Sequence, residues 1–170
     1  MNIRTKRLAN DFKELAELVS QSDGKLTIIS TEGNPPYCYV IQYRCKGIER
    51  LQNGNPLFRY EHQVKIYLES EYPRSIPKAE FLTPIFHPNV WRNRTICFGS
   101  YWTVSETLAE LVLRISKLIQ YSKDILNLNS PANSVAKAWA EDNLSRFPVG
   151  IENFKDSISN SERIIWNDLP

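Results

Sequence analysis

Residues 58–68 read Phe-Arg-Tyr-Glu-His-Gln-Val-Lys-Ile-Tyr-Leu. Phe58, Tyr60, His62, Val64, Ile66 and Leu68 fall on one side of an extended chain, and mostly charged or polar residues fall on the other. That is the period-two pattern of a strand with one buried face. Upstream, Tyr37, Tyr39, Ile41 and Tyr43 alternate in the same way, residues 26–30 form a shorter β-rich run, and Gln52-Asn53-Gly54-Asn55-Pro56 supplies turn residues between strands. Downstream, residues 79–82 supply a fourth strand. Pro73, Pro77, Pro84 and Pro88 flank it, each removing a backbone donor, so an irregular but stiff stretch surrounds it.

Helical spacing takes over on either side of the strands. Leu8, Phe12, Leu15 and Val19 form an apolar stripe on a first helix, which Ser22-Asp23-Gly24 ends. Thr103 and Glu106 read as a capping box opening a helix that buries Leu108, Leu111, Val112, Ile115, Leu118 and Ile119. Ser130 as cap and Pro131 at the first helical position open another, with Val135, Ala136 and Trp139 inward and Phe147-Pro148 as the break. Ile151, Phe154 and Ile158 recur at helical spacing, and Ile164-Ile165-Trp166 gives the tail an apolar end. The expected architecture is α+β: an N-terminal helix, a four-stranded antiparallel meander sheet, a proline-rich loop and C-terminal helices. The expected division is a core over residues 1–140 and a helical extension over 141–170 packed on it.

Composition narrows the function. A chain of 170 residues with 42% hydrophobic and 24% charged residues is long enough for one real core and excludes a disordered or disulfide-dense chain. A net charge of +2 gives no electrostatic footprint for nucleic acid, so no nucleic-acid partner is expected. The most apolar stretch, residues 108–119, is interrupted by Glu110, Arg114 and Lys117, which argues against a membrane partner. The basic N-terminal residues are not followed by an apolar run, so the chain is expected to be cytoplasmic. Cys38, Cys45 and Cys97 form no CxxC pair and no disulfide framework. With His62 and His87 they lack zinc spacing, so no metal is expected. Cys38 and Cys45 read as packed thiols, and His62 as a satisfied, half-buried side chain on its strand.

One window asks for chemistry. Pro84-Ile85-Phe86-His87-Pro88-Asn89 is followed by Val90-Trp91-Arg92-Asn93-Arg94-Thr95-Ile96-Cys97-Phe98, so a histidine, an amide and a cysteine share a proline-stiffened segment. A thiol with an ordinary pKa of about 8.5 is a usable nucleophile near neutrality. An amide N–H aimed at an acyl oxygen stabilises a tetrahedral intermediate, and Asn89 is the candidate donor. A Cys–His hydrolase pair is the generic alternative, although no papain-type or caspase-type signature surrounds Cys97.

At these residues the chain resembles the ubiquitin-conjugating enzymes, the middle carriers of the ubiquitin cascade. The resemblance runs over roughly residues 4–140 and includes Lys6-Arg7-Leu8 with Asp11-Phe12, Tyr72-Pro73, Pro77-Lys78, Phe81-Leu82, the triplet His87-Pro88-Asn89, Ile96-Cys97, and Ser130-Pro131-Ala132-Asn133 with Ala136. It implies the UBC-like fold. It also implies that Cys97 accepts a ubiquitin-like protein from an activating enzyme as a thioester and passes it to an amine of a substrate protein. ATP would be used by the activating enzyme, and this chain would need no cofactor. By the same resemblance Asn89 stabilises the oxyanion or its supporting loop, while His87 and Pro88 shape that loop. Arg4, Lys6, Arg7 and Lys13 would form a face for the activating enzyme, with a solvated basic helix end as the plainer alternative.

The departures imply a divergent member, a bacterial origin being one expectation. Gly99 stands where relatives often have an acid, and Trp102 follows the cysteine sooner than their tryptophan does. Ser130 occupies the acceptor-gate position, where an aspartate often orients the attacking lysine. A ligase is not implied: Arg74 follows Tyr72-Pro73, where many relatives have an apolar residue, and the second contact loop reads Trp102-Thr103-Val104. The competing function is a non-catalytic module of the same fold that docks a modifier or scaffolds its complex.

Overall fold

The structure, a computed structural model, describes residues 2–155. In chain order it contains α1 (Ile3–Gln21), β1 (Leu26–Gly33), β2 (Pro36–Gln52), β3 (Asn55–Tyr67), β4 (Lys78–Phe81), α2 (Leu108–Ile119) and α3 (Ser134–Asp142), then a 3-10 turn at Leu144–Arg146. The strands form one antiparallel sheet in the order β1-β2-β3-β4. Registers such as Tyr39↔Ile66, Ile41↔Val64 and Tyr43↔His62 put the alternating apolar residues on one shared face. That face meets α1 and α2 in the core, where these six side chains are almost completely buried.

The β3 alternation holds as burial only from His62 onward, since Phe58 and Tyr60 lie exposed on the far part of the β2–β3 hairpin. His62 is fully buried rather than half-buried, and burial drives its pKa down to about 4. Beside it, a Cβ on Gly47 would come within 2.8 Å of both His62 Nε2 and Ile119. Glycine is therefore what lets the end of α2 close onto β2 at this point.

The first helix presents a different stripe from the expected one. Leu8, Asp11, Leu15 and Leu18 are buried, while Phe12 is 38% exposed. The stripe is turned by one residue because Asp11 goes inward. Its carboxylate accepts hydrogen bonds from Tyr72 Oη at 2.6 Å, Arg7 Nε at 2.8 Å and the backbone N–H of Leu108 at 3.1 Å. Leu108 is the first residue of α2, so the carboxylate also sits where a helix N-terminus favours an anion.

The capping box of α2 is Thr107 with Glu110, not Thr103 with Glu106. Both pairs fit the same motif, but Thr103 Oγ1 bonds Ser105 Oγ at 2.9 Å and Glu106 pairs with Arg114 at 2.7 Å. Helix α3 is likewise capped by Asn133, which accepts from Ala136 N–H, and not by Ser130. Ala136 and Ala140 are its buried residues, and Val135 faces out.

In place of a helix through Ile151 and Phe154, residues 147–155 form a strap. Val149 N–H donates to the Gln120 carbonyl at 2.9 Å, while the Gln120 side chain accepts from Glu152 N–H at 2.7 Å and donates to the Glu152 carbonyl at 3.0 Å. Phe154 is buried with its ring 6.3 Å from that of Tyr43, and Ile151 is exposed. The expectations for Ile158 and for Ile164-Ile165-Trp166 fall outside the described residues. No helix of the described residues is long and apolar enough to cross a membrane.

Replacing Asp11 by alanine leaves Arg7, Tyr72 and the α2 N-terminus without their shared acceptor. The expected loss is about 3 kcal/mol of folding stability, read from urea unfolding, with a smaller loss for Asp11→Asn.

Candidate active site

Cys97 is positioned by a strand-like addition to the sheet. Thr95 and Ile96 run along the free edge of β4, with Ile96 N–H donating to the Ala79 carbonyl at 2.9 Å and Phe81 N–H to the Arg94 carbonyl at 3.0 Å. A tight turn at Trp91–Arg94 reverses the chain, with Arg94 in the left-handed region at φ 70°. The turn brings Cys97 back to the triplet, where its N–H donates to the Asn89 carbonyl at 2.9 Å. Cys97 is half-buried, whereas Cys38 and Cys45 are buried. Burial pushes both of those thiols up, Cys45 to about 12, which makes them poor nucleophiles.

The triplet locks a second loop beside Cys97. Asn89 Nδ2 donates to the Asn127 carbonyl at 2.7 Å, and Asn89 Oδ1 accepts from Asn127 N–H at 3.0 Å, so the side-chain amide pairs with the backbone as a strand neighbour would. Asn127 Oδ1 in turn accepts from the N–H groups of Asn129 and Ser130, each at 3.2 Å. The Pro88 carbonyl accepts from Ala132 at 2.8 Å and Asn133 at 3.0 Å. His87 is buried, and its Nδ1 accepts from Asn89 N–H at 3.0 Å with the ring 4.5 Å from that of Tyr121. Burial takes its pKa down to about 3, so it is neutral and acts on the loop's shape.

The chain beyond Cys97 is held from α2. Arg114 donates to the Tyr101 carbonyl at 2.7 Å, pairs with Glu106, and lies 5.2 Å over the Phe98 ring. Gly99 has φ 67°, a conformation that favours glycine over residues with a side chain. Trp102 Nε1 donates to the Pro73 carbonyl at 2.8 Å, and its ring centre is 5.9 Å from that of Tyr72. This tryptophan joins the two loops named above as ligase contacts, and Arg74 stands exposed next to them.

Between these parts runs a groove of about 700 Å³. Cys97, Asn89 and Phe98 line it together with residues 123–130, and Gly99, Tyr101, Arg114, Leu118 and Leu144 complete it. Ser130 lies in this lining and is exposed. The sequence reading missed Asp124, the one carboxylate of the groove lining, as well as Arg114 and Asn127. Asp124 accepts from Lys117 Nζ at 2.8 Å and from Ser122 Oγ, and those hydrogen bonds, Lys117 first, hold its carboxyl below the usual range. Nothing in their spacing to Cys97 distinguished these residues before folding brought them together.

The basic face of α1 divides. Arg4 donates to the Leu68 and Glu69 carbonyls at 2.9 and 3.2 Å, and Arg7 bonds Asp11, Tyr72 and the carbonyls of Val104 and Glu106. Both arginines fasten the fold, and Lys6 and Lys13 alone are exposed.

Comparison with known proteins decides the family. The sequence model described as ubiquitin-conjugating enzyme matches residues 52–153. The chain belongs to the ubiquitin-conjugating enzyme family. Ubiquitin-conjugating enzyme E2 13 of Saccharomyces cerevisiae is 31% identical over 132 residues, covering 75% of this chain and 79% of that protein. Ubiquitin-conjugating enzyme E2 N of Drosophila melanogaster is 28% identical over 132 residues, covering 75% and 80%. A solved ubiquitin conjugating enzyme from Trypanosoma cruzi superposes with a TM-score of 0.59 at 21% identity, covering 93% of this chain and 96% of that one, which bears on the fold. The UBC-like α+β architecture expected from the sequence is the one found.

The two buried histidines set a pH dependence in this family member. In the folded protein they stay neutral down to about pH 3 for His87 and about pH 4 for His62, while the unfolded chain protonates them near 6.5. Their contribution is complete above about pH 6.5 and is lost as the pH falls toward 4, by up to about 1.4 kcal/mol per pH unit for each histidine. Urea midpoints measured at pH 7 and pH 5 should drop accordingly. Imidazole resonances that titrate near 6.5 in the folded protein would contradict this.

Proposed function

We propose that the chain accepts ubiquitin or a ubiquitin-like protein from an activating enzyme as a thioester on Cys97 and passes it to an amine of a substrate protein. The observation that carries this reading is the placement of Cys97, the half-buried thiol among three, at the wall of a groove it shares with the Asn89 amide. The modifier's C-terminal carboxylate arrives activated at the expense of ATP on the activating enzyme. The Cys97 thiolate takes the acyl group. A substrate amine then attacks the thioester carbonyl, and the tetrahedral intermediate collapses by expelling the thiolate.

Asn89 serves two tasks in this scheme. One proton of Nδ2 bonds the Asn127 carbonyl, and the amide's second proton remains for the oxyanion. Ser130, in place of an acid at the acceptor gate, accepts or donates hydrogen bonds but carries no charge to hold an incoming ammonium. The carboxylate that the groove lining does hold, Asp124, is already paired with Lys117. Lys6 and Lys13 offer charge to an activating enzyme, and the scheme requires no metal or cofactor on this chain.

Incubation with ubiquitin, ubiquitin-activating enzyme and ATP should give an adduct that thiol reductant removes, and Cys97→Ala should abolish it. Absence of an adduct with ubiquitin and with ubiquitin-like proteins, each supplied with its own activating enzyme, would leave the non-catalytic docking module as the reading. Asn89→Ala should slow discharge of the loaded thioester to free lysine by about 10²–10³-fold and affect loading far less. Discharge at the wild-type rate would remove Asn89 from the transfer step.

A further inference from the structure

We infer that Arg114 is a positioning residue for acyl transfer: from α2 it fixes residues 98–101, the groove wall that follows Cys97, and so sets the rate at which the thiol takes and gives up its cargo without governing the encounter with the activating enzyme. The inference rests on the carrier reading above.

Backbone hydrogen bonds anchor Cys97 from one side. Its own N–H bonds the Asn89 carbonyl at 2.9 Å, and the residues before it run along β4. After Cys97 that support stops. Among the described residues, Phe98 to Tyr101 have one hydrogen bond to the rest of the fold, the donation from Arg114 Nη1 to the Tyr101 carbonyl at 2.7 Å. The Ser100 carbonyl accepts only from nearby Trp102 N–H, at 3.2 Å. Gly99, at φ 67°, bends the chain in between. The same guanidinium lies 5.2 Å over the ring of Phe98, the residue bonded to Cys97, and Phe98, Gly99 and Tyr101 all line the groove with the thiol.

Arg114 differs in this from the other charged side chains of its helix. Glu110 closes the cap of α2 itself, and Lys117 pairs with Asp124. Arg114 crosses to the loop, where it is 17% exposed and pairs with Glu106 at 2.7 Å. Its Nε is buried with no hydrogen-bond partner among the described residues. An unpaired buried donor costs free energy that an apolar side chain of similar length would not, so stability alone does not account for an arginine here. Because Glu106 compensates its charge, Arg114 acts on the thiol by geometry. Attack on and by a thioester needs the reacting atoms in line, and a displacement of about 1 Å can cost about 10²-fold in rate.

The full chain tests this, with ubiquitin-loaded activating enzyme supplied at varied concentration and the product then discharged to free lysine. In Arg114→Met the saturating loading rate should fall about 10-fold or more, and discharge alike, while the half-saturating concentration stays within about 2-fold. Amide resonances of residues 98–101 should shift while those of β2 and β3 keep their positions. Arg59→Met, which removes a comparable ion pair to Glu49 at 2.8 Å away from the groove, should load at the wild-type rate. A wild-type saturating rate in Arg114→Met overturns the inference, as does a change confined to the half-saturating concentration. Loss of the β2 and β3 resonances in Arg114→Met, or equal slowing in Arg59→Met, assigns the effect to folding and overturns it too. In each of these outcomes loading of the wild-type chain leaves the carrier reading standing. A wild-type chain that loads neither ubiquitin nor any ubiquitin-like protein, each supplied with its own activating enzyme, removes both.

Discussion

A single buried carboxylate sets where the helices stand. Asp11 gathers Tyr72 from the proline-rich stretch, Arg7 from its own helix and the first N–H of α2. An anion taken out of water costs several kcal/mol unless its lone pairs are satisfied, and here three donors, one of them a guanidinium, satisfy it. The guanidinium then reaches the carbonyls of Val104 and Glu106. The start of α2 and the loop that precedes it are therefore placed relative to α1, and Arg114 on that helix in turn places the chain just after Cys97.

A second constraint, at the groove, has the same character. Asn89 and Asn127 form a pairing of side-chain amide with backbone, and the bonds from Pro88 to Ala132 and Asn133 extend it. The proline-stiffened triplet thus acts as a template on which residues 127–133 are laid. His87 contributes by remaining uncharged in the interior and by accepting the Asn89 N–H. The nucleophile candidate sits on the edge of a sheet, the opposite wall is a loop, and these few hydrogen bonds hold the two in register.

The alternation of Tyr39, Ile41 and Tyr43 with Val64 and Ile66 was legible because a strand with one buried face writes its periodicity directly into sequence. The triplet and the cysteine were legible because their types and spacing are short-range. What the sequence concealed was long-range choice. Two T-x-x-E patterns compete for the start of α2, and only the position of Asp11 in three dimensions separates them. A stripe containing Phe12 is as helical as one containing Asp11, and the apolar residue gave the stronger local signal although the acid is the one buried. Arg4 and Arg7 read as surface charge because a sequence does not show the carbonyls that await them. Asp124 and Lys123 reach the groove through the fold of their loop, with no spacing rule to announce them.

The strap at residues 147–155 changes where this domain ends as a cooperative unit. Phe154 fills a place in the main core against Tyr43, and the amide of Gln120 is closed on both sides by backbone that lies beyond α3. A chain cut near residue 140 would keep every strand and every long helix yet open one side of that core and strand a buried amide. Protection of core amides against hydrogen exchange should accordingly depend on nine residues that contain no regular secondary structure, so the cooperative unit extends past the last helix.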